Sequence, residues 1–107
     1  MGNVYFADIA YRRIEADATL PAKFNRMLKK SLPAEKLKGR KICIKMHLGG
    51  NLGYTTIHPF FIRQLVEHLK KGAPKSVFIC DGDANNCEWR GYTEQSLGAK
   101  IVGLFRK

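Results

Sequence analysis

The chain has 107 residues, 45% of them hydrophobic and 26% charged, a balance typical of one globular domain and not of a disordered chain. Nineteen lysines and arginines against 9 acidic residues give a formal net charge of +10, which predicts attraction to an anionic partner. Three scattered cysteines argue against a disulfide framework, and no apolar run approaches the ~20 residues that span a bilayer. Without a visible secretory leader, these features predict a cytoplasmic protein with no membrane partner.

Apolar spacing and turn residues predict the elements in chain order. They are a strand at 4–7, a helix at 19–32, a strand at 41–46, a helix from about 59 to 71, a strand at 76–80, a short helix at 93–97 and a strand at 101–105. Thr19 is the predicted N-cap of the first helix, and Pro21 lies in its first turn. Residues 81–86 are interpreted as a turn, and 89–92 as a loop anchored on the sheet edge by Trp89.

The strand at 41–46, the helix that follows it and the strand at 76–80 form a βαβ unit, whose two strands should be parallel. The predicted fold is therefore α/β: one small domain over residues 1–107, in two or three layers, with a mostly parallel sheet of about four strands and two main helices. With so few elements, two interpretations stay open: a complete small domain, or a piece of a larger sheet that self-associates or needs a missing carboxyl-terminal portion.

A glycine-rich loop follows the strand at 41–46 and leads into the second main helix. Ligands of parallel sheets bind beyond the carboxyl ends of the strands, where loop amides and a helix N-terminus favour phosphate or carboxylate groups. The predicted anion-binding residues are Lys45, His47, Gly49, Gly50, Asn51, Gly53, Thr55, Thr56 and Asp81. The loop matches no named phosphate motif. The structural alternative is a tight connection capped by a threonine, with Asp81 serving only as the partner of Lys45.

A metal site is a second hypothesis for the same region. Its donors would be His47, His58, Asp81 and Asp83, which are acceptable ligand types at a spacing that matches no defined site. Cys43 and Cys80 are expected to be small buried hydrophobic residues of the sheet, and His68 either a solvated residue or one that the helix dipole favours near the helix end.

The positive charge also permits binding of RNA or DNA. Basic residues cluster at 36–41, and Lys-Lys pairs close both helices, where the helix dipole favours them in any case. No aromatic residues are interleaved with them and no nucleic-acid signature matches, so this partner is weakly supported.

Three segments together carry a family resemblance: KICIKMHLGGNLGYTTIHP at 41–59, SVFICDGD at 76–83, and RGYTE at 90–94 followed by Leu97-Gly98. They resemble the domain of unknown function 362 family, described as uncharacterised iron–sulfur-centre proteins. The resemblance implies an amino-terminal portion of a longer architecture, whose longer members hold four-iron–four-sulfur clusters in a downstream segment. It implies no cluster in this chain, because three scattered cysteines do not supply the ligands.

The sequence therefore predicts a ligand-binding α/β module without its own cofactor. Its site for an anion, or for a metal, would lie at the strand carboxyl ends. The alternatives are a basic nucleic-acid-binding module and a fragment without independent activity. No residue is assigned a catalytic role, and whether the chain is an enzyme is left open.

Overall fold

The computed structural model describes residues 2–47, 57–83 and 88–92, with only the backbone described at 82, 83 and 88–92. The elements are two short 3-10 helices at Ala16–Ala18 and Ala34–Leu37, helix α1 at Leu20–Ser31, strand β1 at Lys41–Lys45, helix α2 at Pro59–Lys70, strand β2 at Ser76–Asp83 and strand β3 at Glu88–Tyr92. The prediction of an α/β fold with two main helices is confirmed.

Both helices begin at a residue whose side chain accepts a backbone hydrogen bond. Thr19 caps α1 as predicted: its Oγ1 lies 3.5 Å from the Ala22 amide and donates to the Ala16 carbonyl at 2.7 Å. The N-cap of α2 is His58, whose Nδ1 accepts the Phe60 amide at 3.2 Å. The threonine cap belonged only to the structural alternative for this loop, and it is not the N-cap of α2, because an imidazole nitrogen supplies the acceptor that a hydroxyl usually provides.

The three described strands form one sheet in the order β1-β2-β3. β1 and β2 are parallel, in a register that runs from Lys41 opposite Ser76 to Lys45 opposite Cys80. This confirms the predicted βαβ unit. β3 is antiparallel to β2, with Asp81 opposite Arg90. The described sheet thus holds one parallel and one antiparallel pairing.

Two predictions about strands were wrong. Residues 4–7 form no strand: Val4 is 93% exposed and Phe6 87%, and no described strand pairs with them. The turn at 81–86 and the loop at 89–92 are replaced in part by strand, because the backbone of 81–83 pairs with that of β3. A β-prone segment becomes a strand only where another edge accepts its hydrogen bonds. The predicted helix at 93–97 and strand at 101–105 lie outside the described residues.

The core lies between α2 and one face of the sheet. Ile62 and Val66 of α2 pack with Ile79 of β2, and all three are almost fully buried. The partly buried side chains of Ile44, Met46 and Val77 complete this cluster. Because side chains alternate along a strand, Cys43 and Phe78 lie on the opposite face, where both are exposed.

Helix α1 packs on α2. The Phe24 and Phe61 rings meet edge to face with their centroids 5.6 Å apart. His68 of α2 also contacts the end of α1. Its side chain is buried, and its Nε2 lies 2.6 Å from the Leu32 carbonyl oxygen. The solvated alternative for His68 was wrong, since α1 covers this side of α2, while its predicted place near the helix end is in the last turn of α2. Neither helix of the described part is long and apolar enough to cross a membrane.

Candidate functional site

The structure brings Lys45 and Asp81 together at one edge of the sheet. Lys45 is the last residue of β1, and Asp81 follows its register partner, Cys80, in β2. The Lys45 Nζ lies 2.8 Å from Asp81 Oδ1. The Asp81 side chain is only 7% exposed, whereas that of Lys45 is 59% exposed. A buried carboxylate therefore holds an ammonium group that stays largely in solvent.

His47 approaches the other oxygen of the same carboxylate. Its Nδ1 lies 3.3 Å from Asp81 Oδ2, and its side chain is 61% exposed. Among the described residues, Lys45 thus contacts one Asp81 oxygen and His47 contacts the other. The sequence placed all three residues at this edge, and the parallel register of β1 and β2 explains why they converge.

Asp81 also favours the charged form of Lys45. The hydrogen bond to Asp81 is the main cause that raises the pKa of Lys45 above its usual range; partial desolvation opposes it, and the charges of Asp81 and Cys80 add to it. A lysine is in any case a cation at neutral pH, and the contact with Asp81 strengthens that preference. An ammonium group carries three donor hydrogens, of which Asp81 accepts one.

The remaining predicted anion-binding residues belong to the glycine-rich loop. Gly49, Gly50, Asn51, Gly53, Thr55 and Thr56 lie outside the described residues. Their contribution of backbone amides to this site stays a prediction from the sequence.

The metal hypothesis draws on side chains that the structure describes only in part. His58 uses its Nδ1 to cap α2, and the side chain of Asp83 is outside the described set. Among the described side chains, no three or more histidines, cysteines or acidic residues are grouped so as to hold a metal ion. The set His47, His58, Asp81 and Asp83 therefore stays a prediction.

A four-iron–four-sulfur cluster is typically held by four thiolates, and the 107 residues contain three cysteines. The expected absence of a cluster in this chain stays a prediction from the sequence.

Sequence reasoning missed a contact between two cysteines. Cys43 of β1 and Cys80 of β2 are free thiols whose Sγ atoms lie 2.9 Å apart. Cys80 is buried as expected, but Cys43 is exposed, so its interpretation as a buried hydrophobic residue was wrong. The predicted parallel pairing of the two strands could have indicated this contact, because a pairing of 42–44 with 77–79 places both cysteines on one face of the sheet.

A basic cleft between α1 and α2 was also missed. It encloses about 440 Å³, and Lys29, Arg63 and Lys71 are among its lining residues. The Gln64 side chain lines it as well, and its buried Oε1 has no hydrogen-bond partner among the described residues. None of Lys45, His47 and Asp81 lines this cleft. A test of anion binding must therefore distinguish the cleft from the site at the carboxyl ends of β1 and β2.

Comparison with known proteins gives one family and no individual relative. The model of a domain of unknown function, DUF362, matches residues 42–103, which is more than half of the chain and includes β1, α2, β2 and β3. Neither the curated proteins nor the solved structures include a significant match. The match confirms the resemblance carried by the motifs at 41–98, and the chain belongs to the DUF362 family of domains of unknown function.

Proposed function

We propose that the carboxyl ends of β1 and β2 form a binding site for a small anion bearing a phosphate or carboxylate group. One observation carries the proposal: the buried Asp81 carboxylate holds Lys45 and His47 side by side at this edge. In a parallel pair of strands this edge is where ligands bind. Lys45 would bind the anion by charge and hydrogen bond, and His47 would supply a further donor.

The burial pattern supports a binding role over a purely structural ion pair. Asp81 is the buried member, while the side chains of Lys45 and His47 are each more than half exposed. Two exposed nitrogen groups on one fixed carboxylate are positioned before a ligand arrives, which lowers the entropic cost of binding. The net charge of +10 favours an anionic ligand. The amides of Gly49, Gly50 and Gly53 would add donors.

The test compares two lysines of one strand. Lys41 and Lys45 are the first and last residues of β1, and both are exposed. Binding of inorganic phosphate, and of citrate as a carboxylate probe, is measured by calorimetry and by amide chemical shifts. Lys45→Met should weaken binding by at least about tenfold. Lys41→Met, with the same loss of charge, should leave it unchanged.

Three results would contradict the proposal. The two lysine variants could lose binding equally, which would indicate non-specific charge. The wild-type chain could bind neither probe. Alternatively, Arg63→Met in the cleft between α1 and α2 could abolish binding while Lys45→Met does not, which would move the anion site to that cleft. Circular dichroism of each variant separates loss of binding from loss of fold.

The nucleic-acid alternative predicts a different salt response. Sequence-independent binding to phosphates weakens steeply as salt rises, with a slope set by the number of phosphate contacts. A steep slope at useful affinity, unaffected by Lys45→Met, would favour it over a small-anion site. The cytoplasmic location and the absence of a resident cofactor remain predictions from the sequence.

A further inference from the structure

The two neighbouring thiols occupy the face of the sheet opposite α2. Cys43 lies opposite Phe78, and Cys80 lies opposite Lys45, so the cysteines are diagonal neighbours two residues apart in register. Their sulfur atoms lie 2.9 Å apart. A disulfide bond needs about 2.05 Å, so a shift of less than about 1 Å would bring the atoms to bonding distance.

We propose that Cys43 and Cys80 form a reversible thiol–disulfide site that exchanges two electrons with the disulfide of a low-molecular-weight thiol. The chemistry uses neither the Lys45–Asp81 contact nor bound anion, so it goes beyond the function proposed above. Its class of co-reactant is a small disulfide such as oxidised glutathione.

The exchange takes place in two balanced steps. The Cys43 thiolate attacks one sulfur of the small disulfide, forming a mixed disulfide and releasing one small thiolate. The Cys80 thiolate then attacks the Cys43 sulfur, forming the Cys43–Cys80 bond and releasing the second small thiolate. The two protein thiols lose two protons and two electrons, and the small disulfide is reduced to two thiols.

Exposure sets this order of attack. Cys43 is exposed, while Cys80 is 7% exposed and cannot readily meet a partner from solution. The hydrogen bond with Cys43 and then burial raise the pKa of Cys80, and the charge of Lys45 only partly offsets this. The raised pKa favours the thiol form of Cys80 in the reduced chain. Phe78, 39% exposed opposite Cys43, offers an apolar surface to the incoming molecule.

The experiment equilibrates the reduced 107-residue chain anaerobically with mixtures of reduced and oxidised glutathione. Remaining thiols are then alkylated, and the peptides are mapped by mass spectrometry. The expected product is an intramolecular link between the peptides of Cys43 and Cys80, with loss of two alkylatable thiols, reversed by a reducing agent. Cys87→Ser is the matched control, and it should form the same link.

The single variants test the order of steps. Cys80→Ser should accumulate glutathione on residue 43, because no second thiol displaces it. Cys43→Ser should slow reaction of residue 80 at least about tenfold, since the buried thiol must react alone. The proposal is overturned if the folded chain keeps Cys43 and Cys80 unlinked in excess oxidised glutathione. It is equally overturned if the bonds that form involve Cys87, or if only mixed disulfides accumulate in the Cys87→Ser chain.

Discussion

The imidazole Nε2 of His68 lies 2.6 Å from the carbonyl oxygen of Leu32, the residue that caps the end of α1. This contact ties the last turn of α2 to the last turn of α1. A helix ends with carbonyl groups that have no partner within the helix, and His68 binds one of them.

Removing that donor should destabilise the pair of helices. We expect His68→Leu to lower the free energy of unfolding by about 1–3 kcal/mol, the cost of leaving a partly buried acceptor without its partner. His68→Gln, which keeps an amide donor, should lose less. Urea unfolding followed by circular dichroism measures both. If His68→Leu were as stable as the wild type, the contact would have no structural role.

Replacing a buried isoleucine should lower the free energy of unfolding, whereas replacing an exposed one should not. Ile79 is 0% exposed in the cluster with Ile62 and Val66, whereas Ile14 is fully exposed. Ile79→Ala should cost about 2–5 kcal/mol by lost burial and a residual cavity. Ile14→Ala should change the free energy of unfolding by no more than about 0.5 kcal/mol. Similar losses for both would contradict the placement of the core.

Two glycines should respond differently when they are replaced by asparagine. A Cβ on Gly72 would overlap the Ala34 carbonyl oxygen and lie 2.8 Å from the Leu37 Cβ. Gly39 has open space around it but a φ of +70°. Asparagine adopts that conformation more readily than other residues. Gly39→Asn should therefore be nearly neutral, whereas Gly72→Asn should cost about 1–3 kcal/mol or more. Thermal unfolding of the two variants checks the contrast, which equal losses would refute.

Alkaline pH should weaken the contribution of Lys45 to stability. Its pKa is raised in the folded chain, chiefly by the hydrogen bond to Asp81, so the folded state retains this proton more firmly than the unfolded state. The contribution is complete below the unfolded pKa of about 10.4 and is lost as pH rises through the folded value.

The free energy of unfolding is measured in urea from about pH 8 to about pH 11, a series that starts well below the unfolded pKa of a lysine and ends above it. Reducing agent is present throughout. The advantage of wild type over Lys45→Met should shrink with rising pH. Lys41→Met controls for loss of a lysine elsewhere on β1, and a constant wild-type advantage over Lys45→Met would refute the assignment. The pKa of Cys80 is also raised in the folded chain, so its deprotonation at alkaline pH lowers the free energy of unfolding as well. The Cys80→Ser variant lacks this contribution and shows how much of the pH dependence comes from Lys45.

Local chemistry in the sequence was sufficient to predict α1, α2, β1 and the first part of β2. Helical spacing of apolar residues and the cap at Thr19 located α1, and alternation located β1. The parallel pairing followed from strand, helix and strand in succession. Because that pairing aligns the carboxyl ends of both strands, the convergence of Lys45, His47 and Asp81 could also be predicted.

Tertiary structure alone decided which groups are covered and which segments pair. The residues at 4–7 have strand propensity but no neighbour in the described sheet, while those at 88–92 pair with β2 despite a glycine at 91. Strand propensity is a local property, whereas the hydrogen bonds of a sheet need a neighbouring strand from elsewhere in the chain. Likewise, burial of Asp81 beside exposed Lys45, and the contact of Cys43 with Cys80, arise from register and from α2 covering only one face. Those are long-range relationships that no residue encodes by itself.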